Sequence, residues 1–274
     1  MREPAATVMI RCMNEERTLE TTLAALRRQT VVPEIIVVDS GSSDGSLEVA
    51  RRLCDRVIEI PPERFTYGHA LNIGARAAGA PIHFALSAHC APERDDWIER
   101  SLEHYERADV AGTHGARALA DGRPLAAPFY QNLQHARANP YFGFSNHASS
   151  WRASVWEQFP FDERLDYAED KEWALRVLTA GWVIAVDPLL WVDMSHVWRS
   201  GLRTQYRRQK RASRALADIT VLPPYGLRDF VREWWSAFPD ERHAPLAYRL
   251  DPRRMIGLAG KYMGLRTAQR SGAA

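Results

Sequence analysis

Residues 34–46 read EIIVVDSGSSDGS. Glu34–Val38 is an unbroken aliphatic, β-branched run, the pattern of a strand covered on both faces. It ends at Asp39. Ser40-Gly41-Ser42-Ser43-Asp44-Gly45 is turn chemistry, and a helix from about Ser46 to Cys54 follows. Upstream, Thr7–Cys12 reads as a second buried strand. Asn14 is placed to cap a helix running to about Thr30, with Leu19, Leu23 and Leu26 on one face. Downstream come a strand at Arg56–Ile60, a helix at Tyr67–Ala78 and a strand at Ile82–Leu86. Strands and helices alternating at this spacing predict an α/β fold, a mostly parallel sheet flanked by helices. Such sheets bind ligands beyond the carboxyl ends of their strands. Arg11–Glu16, Asp39–Asp44 and Ser87–Pro92 occupy those positions.

Beyond residue 92 the pattern is less regular. Helices are expected at Trp97–Tyr105 and Glu169–Ala180, the second closed by Gly181. Strands are expected at Asp109–His114, Ser145–Trp151, Trp182–Val186 and Leu190–Met194. Ala120–Pro128 reads as a loop, and Phe129, Tyr130, Tyr141 and Phe142 flank a stretch able to close over a ligand. Helices follow at Leu202–Ala217 and Leu227–Phe238, separated by Pro223-Pro224.

With 46% hydrophobic and 26% charged residues, the 274-residue chain has a globular balance. It has no apolar run long enough to cross a bilayer and no signal-peptide pattern at its start. The three cysteines, Cys12, Cys54 and Cys90, have no metal-site spacing, so a reduced cytoplasmic protein is expected. Arginine outnumbers lysine 33 to 3, an association with GC-rich bacterial coding rather than a physical argument. The charge is segregated. Residues 1–196 carry 20 basic and 28 acidic side chains, and residues 197–274 carry 16 and 6. Arg203, Arg207, Lys210, Arg211 and Arg214 recur at helical spacing and form one basic stripe. An uncompensated stripe points to an anionic partner: donor phosphates, an anionic membrane surface or an acidic carrier protein. Nucleic acid is not expected, because no recognition module is present.

Five separated segments carry a resemblance: IRCMNEE (10–16), EIIVVDSGSSDGS (34–46), GHALNIGARAAGAPIHFALSAHCAP (68–92), FSNHASSWRASVW (144–156), and FDERLDYAEDKEWALRVLTAGWVIAVDP (161–188) leading to Ser195-His196. In this order they resemble the inverting glycosyltransferases of family two. The resemblance implies the GT-A fold, a Rossmann-like, mostly parallel sheet with a C-terminal helical extension. It implies a catalytic domain over 1–198, with a nucleotide-sugar half at 1–92 and an acceptor half at 93–198, and a basic helical extension at 199–274.

It also implies an enzyme moving a sugar from a UDP- or dTDP-sugar, UDP-GlcNAc or dTDP-rhamnose for example, to an acceptor nucleophile. The acceptor would be a lipid-linked saccharide or a natural-product intermediate, either a free small molecule or carrier-protein-bound. By resemblance Asp39 binds the base, with Arg11, Asn14, Glu16 and Ser40 around the nucleotide. Asn72 and Arg76 reach a phosphate or ribose hydroxyl. Ser87-Ala88-His89 stands where the family has Asp-x-Asp, against the donor diphosphate. His89 and His196 are the implied ligands of a divalent metal, Mn2+ or Mg2+. The alternative is direct hydrogen bonding by His89 without metal. Asp170 is the implied general base, and Glu169 orients the base or the acceptor. Read without the resemblance, both carboxylates merely favour a helix N-terminus. Ser145, Asn146, His147 and Trp151 would line the acceptor pocket. A cytoplasmic enzyme with peripheral contact at the inner membrane face is expected. The competing class is a sugar-nucleotide or glycan-binding module that has lost Asp-x-Asp. A nucleotidyltransferase is disfavoured by the lack of an early Gly-rich phosphate loop.

Overall fold

The computed structural model describes residues 4–119, 123–193, 201–222, 226–235 and 252–271. They fall into two compact units. One comprises Met1–Arg117, Leu125–Leu165 and Glu169–Met194; the other comprises Ala118–Pro124, Asp166–Ala168 and Ser195–Ala274.

The first unit is built on strands β1 (Ala6–Cys12), β2 (Glu34–Asp39), β3 (Arg56–Glu59), β4 (Ile82–Ser87), β5 (Ala91–Pro92), β6 (Val110–Gly115), β7 (Phe129–Gln131), β8 (Ala148–Arg152), β9 (Val183–Asp187) and β10 (Val192–Asp193). Eight of these form one sheet in the order β3-β2-β1-β4-β8-β6-β9-β7, and β5 pairs with β10. Neighbours from β3 to β4 run parallel, as do β6 and β9. Strand β8 is antiparallel to both β4 and β6, and β7 is antiparallel to β9.

The period-two alternation of β1 divides the core. Val8, Ile10 and Cys12 face helices α1 (Glu16–Arg27), α2 (Ser46–Leu53) and α4 (Trp97–Glu103), meeting Leu19, Leu23, Val49 and Trp97. Met9 faces the opposite layer, α3 (Tyr67–Ala77), α6 (Ala153–Gln158) and α7 (Glu169–Thr179), with Leu71, Val155 and Trp173. A short helix, α5 (Leu133–Ala138), and strand β7 occupy the stretch read as a closing loop. Phe129 there stacks on His135 at 4.7 Å, and Arg107 lies 4.1 Å from the Tyr130 ring, so these aromatics are packed in place.

Three expectations change. Asn14 does not cap α1, which begins at Glu16 with Glu15 as the preceding cap residue. Ser145–His147 is a turn, and the strand occupies Ala148–Arg152. Trp151 is fully buried, 5.1 Å from Phe161 and 6.4 Å from Trp173, so it is a core residue and presents no face to a pocket. A large flat ring on an interior strand of the sheet stabilises most by burial there. Gly181 closes α7 as expected: its φ of +94° is left-handed, and its N–H donates to Leu178 O at 3.2 Å.

The second unit is helical where described: α8 (Leu202–Ile219), α9 (Leu227–Trp235) and a last helix, Pro252–Ser271. Gly260 and Gly264, one turn apart, set that last helix against the α8 backbone at Tyr206 and Lys210. Among the described residues no helix is long and apolar enough to cross a membrane.

Candidate active site

Ladder register aligns the loop tips. Cys12 pairs with Asp39, and Arg11 pairs with both Val38 and Ser87, so the carboxyl ends of β2, β1 and β4 lie in one row. Each tip is fastened to the next. Asn14 adopts a φ of +56°, which asparagine tolerates, and its Oδ1 accepts from Ser43 N–H at 2.8 Å while its own N–H donates to Ser42 Oγ at 2.9 Å. Ser40 donates from N–H and hydroxyl to Cys12 O at 3.0 and 3.2 Å. Asp39, 1% exposed, accepts from the Gly41 and Ser42 N–H groups at 2.9 and 2.8 Å, and from the Ser42 hydroxyl. As folded here, the Asp39 carboxylate shapes its own loop. A carboxylate has about four acceptor sites, so these three contacts leave one open.

At the end of β4, Ser87 N–H donates to His147 O at 2.9 Å and Ala88 O accepts from Thr22 at 3.0 Å. His89 Nδ1 lies 2.7 Å from Glu15 Oε1. Glu15 was not singled out from the sequence; Glu16 was. The Glu16 carboxylate instead turns to Gly45, in the groove between α1 and α2. IRCMNEE offers two adjacent acids, and only the helix start decides which one meets His89.

Helix α7 brings Glu169 and Asp170 to the same edge. Arg11 makes the link, as its Nη2 donates to Asn146 O at 2.7 Å and its Nη1 lies 3.5 Å from Glu169 Oε1. Its guanidinium sits 5.0 Å from the Tyr67 ring, a contact absent from the sequence reading. Asn146 Nδ2 donates to Glu169 Oε1 at 3.3 Å, and Asn146 N–H to Asp170 Oδ2 at 3.4 Å. Lys171, directed inward, donates to the carbonyls of Gly143 and Phe144 at 3.1 and 2.8 Å and holds the 143–147 turn. In that turn Ser145 Oγ meets His147 Nδ1 at 2.9 Å.

Electrostatics separates the two carboxylates. Glu169 is buried, and burial together with the Asp170 charge raises its pKa to about 7, against the opposing pull of Arg11 and Asn146. The 3.5 Å ion pair is too long to reverse this. Asp170 is half-exposed beside it. Burial lowers the pKa of His147 to about 4, so its ring is neutral near pH 7.

Two residues expected at the donor have protein partners. Asn72 is buried and fully engaged: Nδ2 donates to Phe161 O and Glu163 Oε1, and Oδ1 accepts from Trp156 Nε1 and Phe161 N–H. Arg76 pairs with the same Glu163 at 3.1 Å. Both fasten α3 to residues 161–163. His196 lies outside the described residues.

Among the described residues no three His, Cys, Asp or Glu side chains are grouped to hold a metal. What is present is one imidazole oriented by a carboxylate, the usual support of a metal-ligating histidine. A nitrogen ligand of this kind would suit Mn2+ better than Mg2+.

A family model described as glycosyl transferase family 2 matches residues 7–161. An uncharacterized glycosyltransferase of Mycobacterium tuberculosis is 33% identical over 217 residues, covering 76% of this chain and 93% of that protein. Glycosyltransferase AglE of Haloferax volcanii is 26% identical over 193 residues, 65% of this chain; the chain spans 63% of AglE's length. Among solved structures, a mannosyltransferase from Pyrobaculum calidifontis in complex with GDP-Man and Mn2+ aligns with a TM-score of 0.63 at 19% identity, covering 100% of this chain and 75% of that one. The sheet, its flanking helices and these matches agree: the chain belongs to glycosyl transferase family 2 and has the GT-A fold.

Proposed function

We propose that the protein transfers a sugar from a UDP- or dTDP-sugar to an acceptor hydroxyl in a single displacement that inverts the anomeric centre, with Asp170 as general base. The observation that carries this reading is the Arg11 bridge. It ties the end of β1, beside the Asp39 and His89 loops, to the start of α7 where Asp170 is partly exposed. One carboxylate at hydrogen-bond range from the acceptor proton suffices for such a displacement. Asp170 takes that proton as the acceptor oxygen forms its bond to the anomeric carbon and the bond to the diphosphate breaks. Glu169, largely shielded from water, holds Arg11 and Asn146 in place. Asp39 reads the base through its remaining acceptor site. His89, with His196 as partner, would hold a divalent cation, which supplies Lewis-acid neutralisation of the departing diphosphate.

Nucleotide release from UDP-GlcNAc, dTDP-rhamnose and, as a control, GDP-mannose, with and without Mn2+, tests the donor assignment. Asp170→Asn should lower turnover by about 100-fold or more while leaving donor affinity unchanged. Near-full turnover by that variant would remove Asp170 from the base role. The absence of transfer from any donor would favour the binding-module reading. The acceptor is taken to be a natural-product intermediate or a lipid-linked saccharide. Partition of labelled product into organic solvent separates the two.

A further inference from the structure

We propose that the C-terminal helical unit docks on an anionic phospholipid surface, with the α8 arginines meeting lipid phosphates and an apolar ridge of α9 entering the headgroup region. The first observation is the placement of charge on α8. Its buried residues, Gln205, Ser213 and Leu216, occupy one side of the helix, and Ser213 there meets Gly264 of the last helix. At about 100° per residue, Arg203, Arg207, Arg211 and Arg214 fall on the opposite side, with Lys210 at its border. Arg203, Arg207 and Arg214 are exposed, and among the described residues none has an acidic side chain within ion-pair distance. Arg211 lies 5.2 Å from the Tyr167 ring. Like charges crowded on one face repel unless an anion lies against them.

The second observation is independent of the first. On α9, Leu227 and Val231 stand one turn apart and are 62% and 45% exposed, with exposed Arg228 and Arg232 beside them. The other side of α9 is engaged: Phe230 stacks on Tyr262 at 5.8 Å, and Glu233 accepts from Lys261 at 2.7 Å. Among the described residues, six of the nine exposed large apolar side chains belong to this unit. Charge alone would suit an acidic protein equally. Exposed aliphatic side chains flanked by arginines suit a lipid interface, where the alkyl part leaves water and the guanidinium stays at phosphate depth.

Co-sedimentation of the full chain with phosphatidylcholine vesicles, with and without phosphatidylglycerol, tests the proposal. Binding should require phosphatidylglycerol and weaken at high salt. The variant Arg203→Gln/Arg207→Gln/Arg214→Gln should lower the partition coefficient by about 100-fold, from roughly fivefold per basic residue at the surface. Lysine at the same three positions should restore it. Leu227→Ser/Val231→Ser should also weaken binding, with an unchanged circular dichroism spectrum. Equal binding to pure phosphatidylcholine, or no binding to phosphatidylglycerol vesicles, overturns the proposal. So does a serine variant that binds vesicles undiminished, or tight binding of an acidic acyl-carrier protein with no vesicle binding. These readouts do not depend on turnover, so they stand or fall apart from the assignment of donor and base.

Discussion

Replacing Glu169 by glutamine should flatten the dependence of stability on pH. The side chain is 5% exposed, and burial with the Asp170 charge raises its pKa from 4.5 to about 7. The folded state therefore holds this proton more tightly than the unfolded chain does. The stability it contributes is complete below the unfolded value and is lost as pH rises through about 7. At 1.36 kcal/mol per pKa unit, the loss between about pH 5 and pH 8 amounts to roughly 2–3 kcal/mol. Glutamine keeps an oxygen to accept from Asn146 and Arg11 and has no charge to desolvate. Urea unfolding of both proteins across that range is the assay. Glu169→Gln should match the wild type near pH 5 and exceed it by about 2 kcal/mol near pH 8. A constant difference at every pH, or a growing advantage for the wild type in alkali, would refute the claim that desolvation outweighs Arg11 at this carboxyl.

Gly115→Ala would drive a Cβ into the Leu190 carbonyl oxygen at the end of β6; a cost above about 3 kcal/mol is expected, read by denaturant midpoint. Lys171→Met leaves the Gly143 and Phe144 carbonyls without their donor, at about 1–3 kcal/mol each. Because the 143–147 turn then loosens, acceptor KM should rise more than donor KM in steady-state assays. Trp151→Ala should cost about 3–5 kcal/mol as a core cavity in thermal unfolding. It should leave acceptor preference unaltered in whatever folded protein survives.

Much of the fold was legible because its signals are local. Mostly apolar runs at 7–12, 34–38 and 82–86, each followed by turn residues and a helix, specify a parallel sheet without reference to distant residues. The same locality places Asp39, His89 and Asp170 after strands or at a helix start. The less regular half was harder. Strand β7 has three residues and helices α5 and α6 six each, too short to display a period. The early start assigned to β8 came from reading Ser145–His147 as strand, when Lys171 and Asn146 hold it as a turn.

The sequence by itself determined the order of strands and helices, the five spaced motifs and the concentration of positive charge after residue 196. Only the tertiary structure decided where individual side chains point. It gave His89 to Glu15 rather than Glu16, locked Asn72 and Arg76 onto Glu163, sank Trp151 into the core and joined Arg11 to Asn146 and Glu169. The physical reason is range. Backbone preference is set by a residue and its near neighbours, whereas a side chain's partner is chosen by distant segments, 74 positions away for His89 and Glu15 and 158 for Arg11 and Glu169, that arrive only when the sheet closes over its helices.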